Sequence, residues 1–567
     1  MSQSTGAPGT DRSTERRHDL DALRGWAMLL GIVLHASLSF FPAPWWVQDS
    51  QKSGVLGLLF LAIHGFRMPL FFLLSGYFSM LIYQRRGLAA LLRQRCLRIL
   101  VPCLLGLVTV IPALHAVGAW AAARAPQPSA VGLPPLFAAI RAGDEARVQA
   151  LLADGADVTE PDPVFQIRPL HWGALVGNLR IATDLLNAGA PLDEGDRQKN
   201  VPLNAAAFAG HARVVELLLE RGANPNAVNF EGRYPIDVLE VPFETTAGII
   251  EYLGMPRPDP QKLAEGRQLA RGILEPVTQR GLAVVETTRE DGWLDRLARD
   301  YIRGVRSKRW EITWRGEPFH LVTTGVFDHL WFLWFLIWMV AGFAIAVGIG
   351  WIRPRRGQGV GQERSTGSGM LLGAIAATTL PQSLMGVDTP VLGPDTSAGW
   401  LVPPHLLMYY GLFFAVGCWM QGAETTMRRW TGYWKWWLIL ALVILFPMAL
   451  VSLGSRPWSV IVQPLYAWLM SLGCLGLFAR FQSHPSPRMR YLSDSSYWLY
   501  VAHLPVVVWL QSLVTGLSGG AVLKFGLVLL VSIPLLLLSY QLLIRPTVLG
   551  WLLNGKIERR NRREAGA

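Results

Sequence analysis

Long apolar runs alternate along the chain with short polar connections, and one long polar stretch interrupts the series. A helix of about 20 apolar residues crosses a bilayer. Such runs lie near Leu23–Phe41, Leu56–Tyr83, Ile99–Ala121, Leu330–Ile352, Met370–Met385, His405–Gln421, Trp436–Leu453, Val460–Phe481, Tyr497–Leu517 and Ala521–Leu543. The pattern predicts an all-α, polytopic membrane protein with about ten transmembrane helices and a large insert after the third. The fifth run is the shortest. The first follows Arg12, Arg16 and Arg17, lacks a small-residue cleavage site and carries His35, so it reads as a span and not as a cleaved signal peptide.

Basic residues set the orientation. Arg16/Arg17, Arg85/Arg86/Arg93/Arg95/Arg98, Arg353/Arg355/Arg356, Arg428/Arg429/Lys435, Arg488/Arg490 and Arg559/Arg560/Arg562/Arg563 occupy every second connection. With ten spans, all of them fall on one side, the cytoplasmic side under the positive-inside rule. Both termini are then cytoplasmic and the insert is extracytoplasmic, as in a bacterial-type inner membrane. The expected organisation is a cytoplasmic tail over 1–18, three spans over 19–124, the insert over 130–254, a polar linker over 255–325, about seven spans over 326–552 and a basic tail over 553–567.

Composition agrees with a membrane protein. Only 16% of the 567 residues are charged against 51% hydrophobic, and a soluble protein averages about 25% charged. Between Ala130 and His320 there are 22 basic and 27 acidic residues, which leaves 30 basic and 13 acidic elsewhere. An apolar, basic remainder points to cytoplasmic arginine clusters and anionic lipid headgroups, with the basic C-terminal tail on the lipid surface, and no nucleic-acid partner is expected. Cys96, Cys103, Cys418 and Cys474 lack metal-ligand spacing, so neither a disulfide framework nor a metal is expected.

The insert repeats. Pro135-Leu136, Pro169-Leu170, Pro202-Leu203 and Pro235-Ile236 recur at steps of 34, 33 and 33, and Gly143, Gly177 and Gly210, then Gly155, Gly189 and Gly222, keep the same steps. With Pro169-Leu170-His171-Trp172-Gly173-Ala174 as an opening, this is an ankyrin-repeat period. Roughly three units form a solenoid, which offers a surface to a protein partner or serves as a spacer. His171 and His211, taken at equivalent repeat positions, read as packing residues. From Pro256 to about Phe319 the amphipathic pattern Trp293, Leu294, Leu297, Ala298, Tyr301, Ile302 predicts a helical strut near the membrane surface.

Ionisable side chains inside spans are costly and mark a functional path. Arg24 and His35 are eleven residues apart, so they share a face about 16 Å apart along the helix. Asp21 can pair with Arg24 at i, i+3. His64, Arg67, Phe71 and Ser75 share a face of the second span. Asp328, His329 and Trp331 open the fourth span; Ser496, Tyr497, Tyr500 and His503 lie in the ninth. Counted from the span ends, Arg24 lies at the inner boundary, His35 and His64 in the outer half, Arg67 near the middle and His503 in the inner half. A funnel results, with a basic inner mouth and a histidine-rich outer chamber. Snorkelling explains Arg24, and interhelical hydrogen bonding explains a lone span histidine, but Arg67 at mid-span needs an anion or a water-filled cavity. The chain has no H-E-x-x-H or P-loop, and Gly357-Gln358-Gly359-Val360-Gly361 reads as a cytoplasmic linker.

Asp19-Leu20-Asp21-Ala22-Leu23-Arg24-Gly25-Trp26 leading to His35, Ile63-His64-Gly65-Phe66-Arg67-Met68-Pro69, Phe71-Phe72-Leu73-Leu74-Ser75-Gly76-Tyr77-Phe78-Ser79, His329-Leu330-Trp331-Phe332-Leu333 and Ser496-Tyr497-Trp498-Leu499-Tyr500-Val501-Ala502-His503-Leu504-Pro505 together resemble the membrane-embedded acyltransferase type 3 family. Within it they resemble the glucan biosynthesis protein C branch, associated with succinylation of osmoregulated periplasmic glucans. The ankyrin insert is absent from that family's usual pattern. The resemblance implies transfer of a succinyl or acetyl group from cytoplasmic acyl-CoA to a hydroxyl of an extracytoplasmic glycan or glycolipid.

On that basis Arg24, with Arg95 and Arg98, is expected to hold the CoA phosphates, with Ser75 and His503 also on the donor side. His35 is the expected general base on the acceptor hydroxyl or, as the second alternative, a transient acyl carrier, assisted by Arg67 and His329. Asp21, His64, Asp328, Trp331 and Tyr500 orient the substrates. Two rival readings use the same residues: a glycan or lipid transporter or flippase without acyl transfer, and a passive anchor for an ankyrin receptor module. Internal repeats of the spans, common in transporters, are not visible in the sequence.

Overall fold

The computed structural model describes residues 17–124, 133–278, 293–353 and 367–554, apart from 42, 44, 163–166, 197, 230–232, 315–316 and 388–391. Most of the expected N-terminal tail, residues 555–567 of the expected basic tail over 553–567, Arg355, Arg356, the glycine-rich segment 357–361 and part of the linker (279–292) lie outside the described residues. The chain divides into two compact units: Met1–Ala123 with Gly292–Ala567, and Arg124–Asp291.

The first unit is a helical bundle. Its elements are α1 (His18–Ser37), α2 (Gly54–Arg95) and α3 (Val101–Arg124) before the insert. Within the insert come α4 (Pro135–Ala142), α5 (Glu145–Ala153), α6 (Pro169–Val176), α7 (Leu179–Asn187), α8 (Pro202–Phe208), α9 (Ala212–Glu220), α10 (Phe243–Tyr252) and α11 (Pro260–Leu274). The bundle resumes with α12 (Trp293–Val305), the hairpin β1 (Glu311–Trp314) and β2 (Glu317–His320), α13 (Trp331–Gly348), α14 (Gly367–Gln382), α15 (Pro404–Met420) and α16 (Glu424–Gly432). It ends with α17 (Trp434–Ile439) continued through a π-turn into α18 (Phe446–Val451), then α19 (Arg456–Phe481), α20 (Pro487–Val514), α21 (Ala521–Ser539) and α22 (Val548–Asn554).

Each of the ten apolar runs is mainly helical. Among the described residues, seven helical stretches are long and apolar enough to cross a membrane, or eight if α15 and α16, bent by 113°, form one span. Ten is therefore an approximate count. One stretch, Gly54–Arg124, is 71 residues long and holds two of the expected spans. The chain is bent within it at Gly87, whose φ of +79° suits a residue without Cβ. The short α14, 16 residues, falls below spanning length.

Where α2 meets α15, small residues let two backbones touch. A Cβ on Gly76 would collide with the Phe414 carbonyl, and one on Gly417 with that of Leu73. Close backbone approach is the usual way for helices to gain packing energy in lipid, where no hydrophobic drive exists between them. Phe72, Phe332, Phe335 and Tyr410 fill an adjacent aromatic layer, with Phe72 and Tyr410 rings 4.7 Å apart. A short antiparallel hairpin, β1–β2, accompanies the helices.

The second unit is the repeat array. Both periodic glycine sets have positive φ, from +68° to +92°, because each ends a helix in the left-handed conformation that a Cβ disfavours. Asp144 and Asn178 accept backbone N–H groups at the starts of α5 and α7. Trp172, Leu185, Val214 and Leu218 are fully buried, and the Trp172 indole N–H donates to the Asp162 carboxylate at 3.1 Å. His171 and His211 are not equivalent positions: His171 lies inside α6 and His211 is the N-cap of α9. Both still pack between units, His171 Nε2–H donating to the Asn200 carbonyl at 2.7 Å and His211 Nε2–H to that of Leu175 at 3.0 Å.

The linker does not form one strut. Its first helix, α11, belongs to the repeat unit and closes it. A Cβ on Gly266 would meet the Gly210 carbonyl, and Arg267 donates to the carbonyls of Phe208 (2.7 Å) and Val241 (2.6 Å) and to Thr246 Oγ1 (2.8 Å). A solenoid end exposes an apolar face, and α11 covers it with Ala270 and Leu274.

Burial holds the pKa of both repeat histidines below its usual value. Above about pH 6.5, the free-histidine value, both are neutral in the folded and unfolded states alike and their contribution is complete. As pH falls through that value the unfolded chain takes up protons that the folded one refuses, and stability is lost. Unfolding followed by hydrogen exchange over 169–219 should show the repeats weakening from pH 7.5 to 5.5, and a His171→Gln/His211→Gln protein should show a flatter dependence. Equal slopes in both proteins would contradict this.

Candidate functional site

The site is built on two helices that run side by side in the same direction. Arg24 of α1 meets Ser493 of α20, His35 meets His503, and Gln511 Nε2 donates to the His35 and Ala36 carbonyls at 3.0 and 3.1 Å. Eleven residues on α1 thus match ten on α20. Whatever depth Arg24 and His35 have, Ser493 and His503 share it.

At the Arg24 level the groups are basic. Arg24 Nη2 donates to Ser493 Oγ at 2.7 Å and its carbonyl at 3.3 Å, with an Asp21 carboxylate oxygen 3.6 Å away. The guanidinium lies over the Phe78 and Tyr497 rings at 5.7 and 5.9 Å. Arg95 Nη2 donates to Ser79 Oγ at 2.9 Å and to the Ser75 carbonyl at 3.4 Å. The charges of Arg24, Arg95 and Arg98 act on one another. The Nε–H groups of Arg24 and Arg95 are buried without a hydrogen-bond partner. Such a set of forked donors suits a phosphate or another polyanion.

Three turns further along α1 the groups are imidazoles. His503 Nε2 lies 2.9 Å from His35 Nδ1, and the His329 ring stands perpendicular to that of His503 with centroids 5.6 Å apart. Trp45 stacks on His35 at 5.8 Å and donates its indole N–H to Gln511 Oε1 at 2.8 Å. Pro505 explains how His329 is held. It has no N–H, so the Val501 carbonyl four residues earlier in α20 loses its helical partner. That carbonyl accepts His329 Nε2–H at 3.0 Å instead. Tyr500 donates its hydroxyl to the His329 backbone carbonyl.

Arg67 comes to this layer from α2. It is buried, its Nε has no hydrogen-bond partner, and among the described residues no carboxylate pairs with it. Its guanidinium lies against Gly31, one turn before His35, where a side chain would collide with it. The Arg67 charge acts on His35, His64 and His503. His64 stacks on Phe60 at 5.3 Å and touches Gly393.

Several sequence expectations are redirected. His503, placed by span counting in the inner half and on the donor side, stands beside His35. The count began at Tyr497, whereas α20 starts ten residues earlier at Pro487. Asp328 pairs with His115 of α3 at 3.1 Å, its backbone at a positive φ of +38°. Trp331 packs on Phe335 and Tyr410 in the aromatic layer. Ser75 offers its carbonyl to Arg95. The sequence reading overlooked Gln511, Trp45, Ser493 and Ser79. Gln511 is eight residues past His503 in an apolar run, on the same helical face, so periodicity marks it; Trp45 lies in a loop and carries no such mark.

Comparison with known proteins identifies the families of the two parts of the chain. An acyltransferase domain model matches residues 17–131 and 286–541, and a model for three ankyrin repeats matches 129–229. Among curated proteins, the glucans biosynthesis protein C of Escherichia coli strain K12, of strain SMS-3-5 / SECEC and of O1:K1 / APEC are each 40% identical over 100 residues. That stretch is 18% of this chain and 25% of each relative, so the match spans a quarter of the relatives' length. The family model covers more than half of the chain on both sides of the repeats, and the protein belongs to this acyltransferase family, with an ankyrin array set into it.

Proposed function

We propose that the protein is a membrane-embedded O-acyltransferase that moves an acyl group from cytoplasmic acyl-CoA to a hydroxyl of an extracytoplasmic glycan or glycolipid. The observation that carries this reading is the pairing of α1 with α20, which puts a guanidinium cluster at one level and an imidazole cluster about 16 Å further on. A CoA thioester has that form: anionic phosphates at one end, a long neutral arm, and the reactive carbonyl at the other.

In this reading Arg24, Arg95 and Arg98 hold the phosphates at the cytoplasmic mouth. His35 takes the proton of the acceptor hydroxyl as its oxygen attacks the thioester carbonyl. The C–O bond forms, the C–S bond breaks, and the proton passes from His35 to the departing CoA thiolate. Arg67 supplies the positive charge for the carbonyl oxygen as it becomes an oxyanion, or for the free carboxylate of a succinyl donor. His329 Nδ1, buried and without a partner, is an acceptor for a sugar hydroxyl. The ankyrin array lies on the extracytoplasmic side, where it selects the acceptor or binds a partner protein.

Two variants test the scheme in detergent-solubilised protein with succinyl-CoA or acetyl-CoA and a glucan oligosaccharide. His35→Ala should reduce thioester consumption to background, a fall of at least about a hundredfold, while the protein elutes and melts as the native chain does. Full activity in that variant would remove His35 from the chemistry. Arg24→Ala should raise the KM for acyl-CoA about tenfold or more and leave that for the oligosaccharide unchanged, as expected for one lost charge-assisted phosphate contact. An unaltered donor KM would make Arg24 a topological anchor.

A further inference from the structure

The hydrogen bonds around His503 carry a conclusion about His35. His503 Nδ1 lies 2.8 Å from the Tyr500 carbonyl and 3.0 Å from the Leu499 carbonyl. A carbonyl oxygen only accepts, so Nδ1 of His503 bears the hydrogen. In a neutral imidazole the other nitrogen is then a bare lone pair. That lone pair, Nε2, faces Nδ1 of His35 at 2.9 Å. Were Nδ1 of His35 also bare, two lone pairs would meet at hydrogen-bond distance in a low-dielectric layer, which is repulsive. His35 Nδ1–H therefore donates to His503, and Nε2 is the atom of His35 turned away from His503; the Gly31 carbonyl one turn earlier also faces the ring.

We propose that His503 is a positioning residue that fixes His35 in its Nδ1–H form, so that Nε2 of His35 is the atom that accepts the hydroxyl proton. The inference rests on the acyl-transfer reading above and adds the tautomer and the residue that sets it. The order of bonds is backbone carbonyl, His503, His35, substrate hydroxyl. When the hydroxyl proton reaches Nε2, His35 becomes an imidazolium, and the His503 lone pair stabilises its Nδ1–H. When that proton passes on to the thiolate, His35 returns to the starting tautomer with no net proton gained. A histidine thus takes the orienting place that a carboxylate holds in other catalytic arrangements. It does so without adding a negative charge that would pair with Arg67. The wider set is held around it: Gln511 ties the His35 backbone to α20, Trp45 covers one ring face, and Pro505 frees the carbonyl that fixes His329. The titratable groups facing the pair are Arg67 from α2, His329 from the turn just before α13 and Tyr500 from α20.

The test compares native protein, His35→Ala, His503→Ala and His503→Gln, using radiolabelled succinyl-CoA and acetyl-CoA with a glucan oligosaccharide. A glutamine oxygen reaches the place of His503 Nε2 and accepts the same N–H, whereas alanine does not. His503→Ala should lower kcat by about a hundredfold or more with the donor KM unchanged within about twofold. His503→Gln should recover at least about tenfold of that loss. A second readout is independent of turnover. In ¹⁵N-histidine-labelled native protein, the ring signals that vanish in His35→Ala should show a protonated Nδ1 and a bare Nε2, and in His503→Ala they should shift towards the other tautomer. If native protein transfers no label, the acyl-transfer reading fails, and if His35→Ala turns over like native protein, His35 is not the base; in either case the ring signals still decide whether His503 sets the tautomer. If His35→Ala is inactive but His503→Ala stays within about threefold of native, the positioning role is overturned. Equal losses in the alanine and glutamine variants with an unchanged His35 tautomer overturn it as well.

Discussion

The hydrogen bond between His35 and His503 ties together the two helices that carry the polar path. In hydrocarbon, an imidazole without a partner is costly, so the two rings hold each other and in doing so set the register of α1 against α20. With that register fixed, Arg24 must stand at Ser493 and Gln511 at the His35 and Ala36 carbonyls. The polar path is thus a consequence of one pair of helices being locked in parallel, with α2 supplying Arg67 and the turn before α13 supplying His329 from the sides.

The same economy explains the prolines and glycines around the path. Pro505 removes a donor from α20, and the carbonyl it releases becomes the anchor for His329. Gly31 leaves room for the Arg67 guanidinium one turn from His35. Gly76 allows α15 to touch α2, which keeps the strip from Arg67 to Ser79 inside the bundle. Each is a local defect in an ideal helix, and each lets a polar group be satisfied or approached where lipid offers no alternative.

The repeat array obeys a different solvent. Its glycines end helices, its histidines bridge neighbouring units through backbone carbonyls, and α11 covers the end that a further repeat would have covered. Interruption of the bundle by such a unit is physically undemanding. The array has its own core, and the membrane helices on either side of it need only the contacts that they make with one another.

The apolar runs, the 33-residue period and the eleven-residue spacing of Arg24 and His35 were legible in the sequence, because helical periodicity and the cost of charge in lipid act on each segment separately. The membrane-protein class and the ankyrin array follow from those local rules. Which residues share a depth does not. His503 looked remote from His35 because the apolar run around it begins well inside α20, and only the packing of whole helices brings the two rings together. Asp328 likewise looked like a substrate contact and turned to His115, a partner 213 residues earlier. Hydrogen-bond partners across helices depend on register and on which carbonyls are free, properties of the assembled bundle that no single stretch of sequence contains.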